Sequence, residues 1–266
     1  MKKVFTFSLL VLFSFSVFSQ DGKGDVKNFR FGGTVMPGLF WYKPDDMKKF
    51  ANNGVVAKFG VVINGEYSFS GNFAFGFGLG IASSGGKMTF TDTAHYYFSD
   101  GAIIKMSDTV AGKYDHYKLN DRKYNASYFI IPLTLKMRTN EIGYMRYFFQ
   151  PGLNIGIRKK VLANDNLLSY KTTQTAQQTN LDISSDMSFL RLSALISAGA
   201  EYYLSGSTAV VFSLGYDYGL SNVVKGTSDY LMRADNAHKN HLPIDGSYVK
   251  QNFKQNGVIL SVGILF

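Results

Sequence analysis

Phe73–Ala82 reads FAFGFGLGIA, with Phe73, Phe75, Phe77, Leu79 and Ile81 alternating with Ala74, Gly76, Gly78, Gly80 and Ala82. A period of two puts the large apolar side chains on one face of a strand and nothing larger than a methyl on the other. In a one-sided soluble sheet the second face would carry polar chains into water. A face of glycine and alanine suits instead the crowded interior of a narrow closed barrel. The apolar face is then left for lipid, where every backbone polar group must be bonded within the sheet.

The signature recurs along the chain. Val210, Phe212, Leu214, Tyr216, Tyr218 and Leu220 alternate with Val211, Ser213, Gly215, Asp217 and Gly219, and Phe149, Leu153, Ile155 and Ile157 stand against Phe148, Gln150, Gly152, Asn154, Gly156 and Arg158. The pattern predicts eight strands, near 29–41, 55–69, 73–83, 128–138, 145–158, 189–204, 209–220 and 257–266. Each reaches the roughly 9–11 residues of a tilted membrane-crossing strand. Because proline breaks a ladder, Pro37, Pro132 and Pro151 are expected at bulges or strand ends. The gaps near 70–72, 139–144 and 205–208 are tight, whereas 42–54, 84–127, 159–188 and 221–256 are long and polar. That alternation predicts an all-β, eight-stranded antiparallel up-and-down transmembrane barrel with short periplasmic turns, long extracellular loops and both termini periplasmic.

Composition and the chain ends agree with this reading. The 266 residues contain no cysteine, which excludes disulfide scaffolds, thiolate metal centres and cysteine nucleophiles. Lys2 and Lys3, the apolar run Val4–Phe18 and Ser19-Gln20 form an export signal over 1–20, leaving 21–266 as the barrel domain. Removing those two lysines takes the net charge from 28 − 19 = +9 to 26 − 19 = +7. Interfacial aromatic girdles are expected from Trp41, Tyr42, Tyr128, Phe129, Tyr216 and Tyr218 at the long-loop end, and from Tyr67, Phe69, Phe73, Tyr147 and Tyr202 at the turn end. Phe266, closing an alternating strand through Ile264 and Val262, reads as the signal that engages the barrel-assembly machinery of a Gram-negative outer membrane.

Ile131-Pro132-Leu133-Thr134-Leu135-Lys136 resembles the Ile-Pro-Leu-x-Leu-Lys strand of PorT-family outer-membrane β-barrel proteins. The segments Gln150–Gly156, Ala198–Tyr202, Tyr216–Asn222 and Val262–Phe266 follow in that family's order. The resemblance implies an integral outer-membrane barrel, some of whose relatives serve protein secretion. The long loops 84–127 and 221–256 depart from the family pattern.

The inward parity carries Arg30, Lys58, Lys136, Arg138, Arg146, Arg158 and Arg191 against Glu66, Glu201 and Asp217, a sum of 7 − 3 = +4. Two layers are expected, with Arg30, Glu66, Lys136, Arg138, Arg146 and Glu201 near the turns and Lys58, Arg158, Arg191 and Asp217 near the loops. Buried charges must be paired, so these residues read as an ionic plug; the alternative is a basic bore attracting anions. His95, His116, His238 and His241 fall in the predicted loops, and no nucleophile–base spacing accompanies them. No cofactor, metal or nucleic acid is expected.

The expected role is a non-enzymatic structural or interaction barrel. Its partners would be outer-membrane lipid, lipopolysaccharide met through the mixed charges of loop 84–127, and secretion or surface proteins. A secretion or transport component, a small porin and a lipid-modifying enzyme are the alternatives.

Overall fold

The computed structural model describes residues 28–99, 102–105, 107, 115–169, 172, 174–233 and 248–266; the expected export signal lies outside them. Eight long strands form the ring: β1 (Phe29–Pro44), β2 (Val56–Ser68), β3 (Phe73–Ser99), β4 (Asp115–Arg138), β5 (Met145–Ser169), β6 (Leu190–Ser205), β7 (Thr208–Gly219) and β8 (Phe253–Leu265). Each pairs antiparallel with its sequence neighbours. β1 closes on β8 from Gly32↔Leu265 to Pro44↔Phe253, so the ring has no free edge. Among the described residues no helix is long and apolar enough to cross a membrane.

The outward parity carries an unbroken apolar band. Phe59, Ile63, Leu79, Ile81 and Leu214 are each more than half exposed (58–66%), which in water would be an aggregation surface and in lipid is the solvated one. Inside, small residues let the walls approach. A Cβ on Gly76 would lie 2.4 Å from Thr134 Oγ1, and one on Gly152 2.6 Å from Thr134 Cγ2.

The structure corrects three sequence expectations. First, β3, β4 and β5 run for 27, 24 and 25 residues, so much of 84–127 and 159–188 is strand. Residues 83–98 of β3 continue to pair with 115–127 of β4, and β4 with 160–169 of β5. Thr175–Asp182 adds to β5 beyond its pairing with β6, while Phe50–Asn52 and Thr227–Arg233 add to β3. His95 and His116 therefore sit in strands β3 and β4, not in loops, and His95 is buried. His238 and His241 lie outside the described residues.

Second, Pro37, Pro132 and Pro151 stand inside strands at unshifted register. Each interrupts pairing toward one neighbour only, as a residue lacking one N–H does, while the other side of the ladder stays continuous. The register shifts fall elsewhere, at Thr89/Ala94, Leu119/Asp121, Ser127/Tyr128, Ala163/Asp165, Thr208/Ala209 and Thr227/Met232.

Third, Tyr42 and Tyr128 are buried and do not belong to a girdle. The projecting sheet inverts the polarity rule of the barrel below it. On β4 one parity runs through Phe129 and then Ser127, Asn125, Lys123 and Asp121, while the other buries Tyr128, Ala126, Tyr124 and Arg122. This upper part has an apolar interior of the soluble kind, in which Tyr42, Phe50, Met88, Phe90, Tyr124 and Phe253 pack with Leu181, Ile183, Leu231 and others.

Candidate functional site

Chemistry-bearing side chains concentrate in the bore, at three levels. At the turn end Arg30 of β1 faces Glu66 of β2 directly across the ladder. Arg30 Nη2 lies 2.6 Å from Glu66 Oε1 and 2.8 Å from Glu201 Oε2. Lys136 Nζ bridges the same carboxylates, 2.5 Å from Glu66 Oε2 and 2.8 Å from Glu201 Oε1. Arg138 donates to Glu66 and sits 3.3 Å from Glu201 Oε1. Tyr203 donates its hydroxyl to Glu201 Oε2 at 3.0 Å and accepts from Arg30 Nη1 at 3.2 Å. Four strands thus contribute five buried charges, three cations and two carboxylates, to one knot across the bore.

Above it lies a cavity of about 110 Å³ with a mixed wall, in which Thr34, Thr134 and Gln150 stand beside the apolar Met36, Val62 and Leu195. Gln150 Nε2 donates to Thr134 Oγ1 at 2.7 Å, and Asn64 Nδ2 donates to Thr34 Oγ1.

The second level is the buried pair Arg191–Asp217, joined by Asn154 Nδ2 donating to Asp217 Oδ1 at 3.2 Å. Arg191 also lies over the Tyr128 ring, 6.0 Å from its centroid.

The third level is aromatic. Tyr42 and Tyr124 meet edge-on at 5.1 Å, Phe253 stacks 6.3 Å from Tyr42, and Phe50 stands edge-on to Phe253 at 5.0 Å and to Phe90 at 5.4 Å. Beside them Arg122 grips Asp165 with two hydrogen bonds, Nε to Oδ1 at 2.8 Å and Nη2 to Oδ2 at 2.6 Å, and Tyr96 donates to Oδ2 at 3.0 Å. Burial among these partners raises the Tyr96 hydroxyl far above the usual phenol range. A 3-10 turn, Ser184–Asp186, closes the side: Ser228 donates its hydroxyl and Asp229 its N–H, at 2.6 Å, to the Asp186 carboxylate. Burial raises that carboxyl above its ordinary value.

Of the ten residues assigned to the lumen from parity, Arg30, Glu66, Lys136, Arg138 and Glu201 meet in the first knot, and Arg191 and Asp217 in the second. Three do not join those layers. Arg146 lies at the rim, its Nη2 3.5 Å from Glu141, over the Tyr203 ring. Lys58 donates to Asn125 at 2.8 Å, and Arg158 donates to the carbonyls of Ser184 and Met187. Arg122, Asp165, Asp186 and Tyr203 were missed. Arg122 and Asp165 are register partners on β4 and β5, a relation invisible until both strands are extended. At the closing strand, Phe266 exchanges backbone hydrogen bonds with Phe31, while Ile264 and Val262 pair with Gly33 and Val35. Among the described residues no cluster of His, Asp or Glu has the composition of a metal site.

Among solved structures the chain is similar to Neisserial surface protein A, at 9% identity over 91% of this chain and 98% of that one, with a TM-score of 0.43. It is also similar to OprG of Pseudomonas aeruginosa (11%, 90% and 95%, 0.37) and to the attachment invasion locus protein Ail of Yersinia pestis (11%, 88% and 98%, 0.32). No curated protein matches the sequence. Residues 18–225, most of the ring, match the family described as Outer membrane protein beta-barrel domain. A ring without an edge, an apolar outer band and that match give one conclusion: the chain belongs to this family and is an outer-membrane β-barrel protein.

Proposed function

We propose that this protein is a closed, non-enzymatic barrel whose role lies in the sheet it projects beyond the membrane. The observation that carries the reading is the stack of three obstructions along one bore: the five-charge knot, the Arg191–Asp217 pair and the aromatic layer. A narrow eight-stranded barrel has an interior that side chains already fill, and here they are tied to one another. An ion crossing it would have to break buried pairs at two levels and then enter an apolar layer. In this reading the termini and tight turns face the periplasm, the projecting sheet faces outward, and Phe266 with Ile264 and Val262 serves assembly. Lipopolysaccharide and surface or secretion proteins are its partners.

The test is to shorten the segment between Phe98 and Tyr117 and to extract the tagged wild-type and trimmed proteins from native outer membranes in mild detergent. The reading expects both to fold, judged by heat-modifiable gel mobility, and the trimmed protein to lose a stoichiometric companion. A wild-type protein that emerges without companions opposes it.

The PorT-type reading, a subunit of a secretion assembly, is supported by the resemblance of Ile131–Lys136 to that family's strand. Loss of secreted cargo on deletion of the protein supports it, and normal secretion refutes it.

A further inference from the structure

On the outer wall of the projecting sheet lies a recess of about 310 Å³, lined by Asn53, Lys87, Asp121, Lys123, Asn166 and Gln177 among others. That volume is at the lower end of the roughly 300–1,000 Å³ of small-molecule sites. Across the sheet, Lys87 pairs in register with Lys123 and Lys123 with Asn164; one row away Asp121 pairs with Asn166 and Asn166 with Gln177.

Two lysines directly opposite each other on neighbouring strands repel, and among the described residues neither makes an ion pair. Of the two carboxylates in the lining, Asp165 is paired with Arg122, and Asp121 accepts only neutral donors, Asn53 Nδ2 at 2.8 Å and the Thr89 hydroxyl, so it keeps its charge. The remaining wall is rich in primary amides, each offering both a donor and an acceptor, the complement of a polyol. With Arg122 and Asp165 cancelling, Lys87 and Lys123 outweigh Asp121 by one positive charge, beside a polyhydroxyl-compatible wall.

Its height narrows the ligand. Lys87 shares its face with lipid-facing Ile81 and lies six residues further (87 − 81) along β3. At about 3.3 Å per residue and a tilt of about 40°, that is about 20 Å along the strand and about 15 Å along the barrel axis. Lys123 stands likewise above Phe129 on β4. The recess thus opens sideways, above the apolar band, at the level of sugar headgroups in the same leaflet.

We propose that Lys87 and Lys123, with the amides of Asn53, Asn164, Asn166 and Gln177, seat a phosphorylated sugar of lipopolysaccharide from the surrounding outer leaflet. The lysines take the phosphate through charge-assisted hydrogen bonds, and the amides take the ring hydroxyls. The proposal rests on the projecting sheet facing outward; surface proteolysis of intact cells tests that orientation separately, so the two can fail independently.

The full-length protein, purified in mild detergent, is titrated with lipopolysaccharide truncated to its inner core, with the same material stripped of phosphate, and with phosphatidylglycerol. Wild type is compared with Lys87→Gln/Lys123→Gln, whose folding is checked by heat-modifiable mobility. At about fivefold per basic residue, the double variant is expected to bind the phosphorylated form about 25-fold more weakly. Wild type is expected to prefer that form to both other lipids. Equal binding by the variant, equal binding of the dephosphorylated form, or phosphatidylglycerol bound as tightly as lipopolysaccharide each overturns the assignment.

Discussion

Glu201 is the carboxylate whose removal most directly probes the charge knot. Its oxygens receive Arg30, Lys136, Arg138 and the Tyr203 hydroxyl, and its side chain is fully buried. Glu201→Gln keeps the shape and deletes the charge, so the local sum moves from 3 − 2 = +1 to 3 − 1 = +2. Breaking a buried pair by removing one partner costs about 3–5 kcal/mol, because a desolvated charge is left uncompensated. With an unfolding slope of about 2 kcal/mol per molar urea, the midpoint should fall by about 2 M. Trp41, the single tryptophan, reports unfolding by fluorescence in lipid vesicles. A second variant, Glu201→Gln/Lys136→Met, returns the sum to 2 − 1 = +1 and should recover at least about 1 kcal/mol relative to Glu201→Gln, a non-additivity of the size coupled neighbours show. A loss below about 1 kcal/mol for Glu201→Gln, or no recovery in the double variant, would refute the knot as a coupled unit.

Other consequences follow from the same geometry. Gly76→Val should destabilise by about 1–3 kcal/mol through overpacking against Thr134, whereas Gly71→Ala, with nothing within 4 Å, should be neutral in the same urea assay. Asp165→Asn should loosen the projecting sheet, raising amide exchange in 117–127 and 160–169, while the band below stays protected and heat-modifiable mobility is kept. Asp186 predicts a pH dependence. Its folded pKa is raised by burial, so its contribution to stability is present below the unfolded value near 4 and lost as pH rises through the folded one. Exchange at Asp229 and Leu231, corrected for intrinsic rate, should show a firmer turn in mild acid than at neutral pH, and Asp186→Ala should abolish the difference.

The membrane-crossing part was legible because lipid imposes one rule on every strand. Phe73–Ala82 obeys it residue by residue, and parity placed Arg30, Glu66, Lys136 and Glu201 in the bore before any pairing was known. The projecting sheet was not legible because its solvent is water. Beyond Phe129 the same parity turns from apolar to Ser127, Asn125, Lys123 and Asp121, which reads as a loop when only the lipid rule is applied. Period two in fact continues from Asp121 to Met137 with its polarity reversed, and that reversal was the available signal. Three register shifts, at Thr89/Ala94, Leu119/Asp121 and Ala163/Asp165, further broke the pattern in the upper sheet. Pro37, Pro132 and Pro151 misled for a different reason. A closed ring holds each strand from both sides, so one missing N–H is tolerated where an open sheet would favour a bulge.

The central claim, a bore closed by its own side chains, is most directly tested by the electrical conductance of purified wild-type protein in planar bilayers. The account predicts silence for wild type across applied potentials, with conductance appearing only when the pairs are dismantled, as in Glu201→Gln/Asp217→Asn. Stable ohmic steps from the wild-type protein would contradict it.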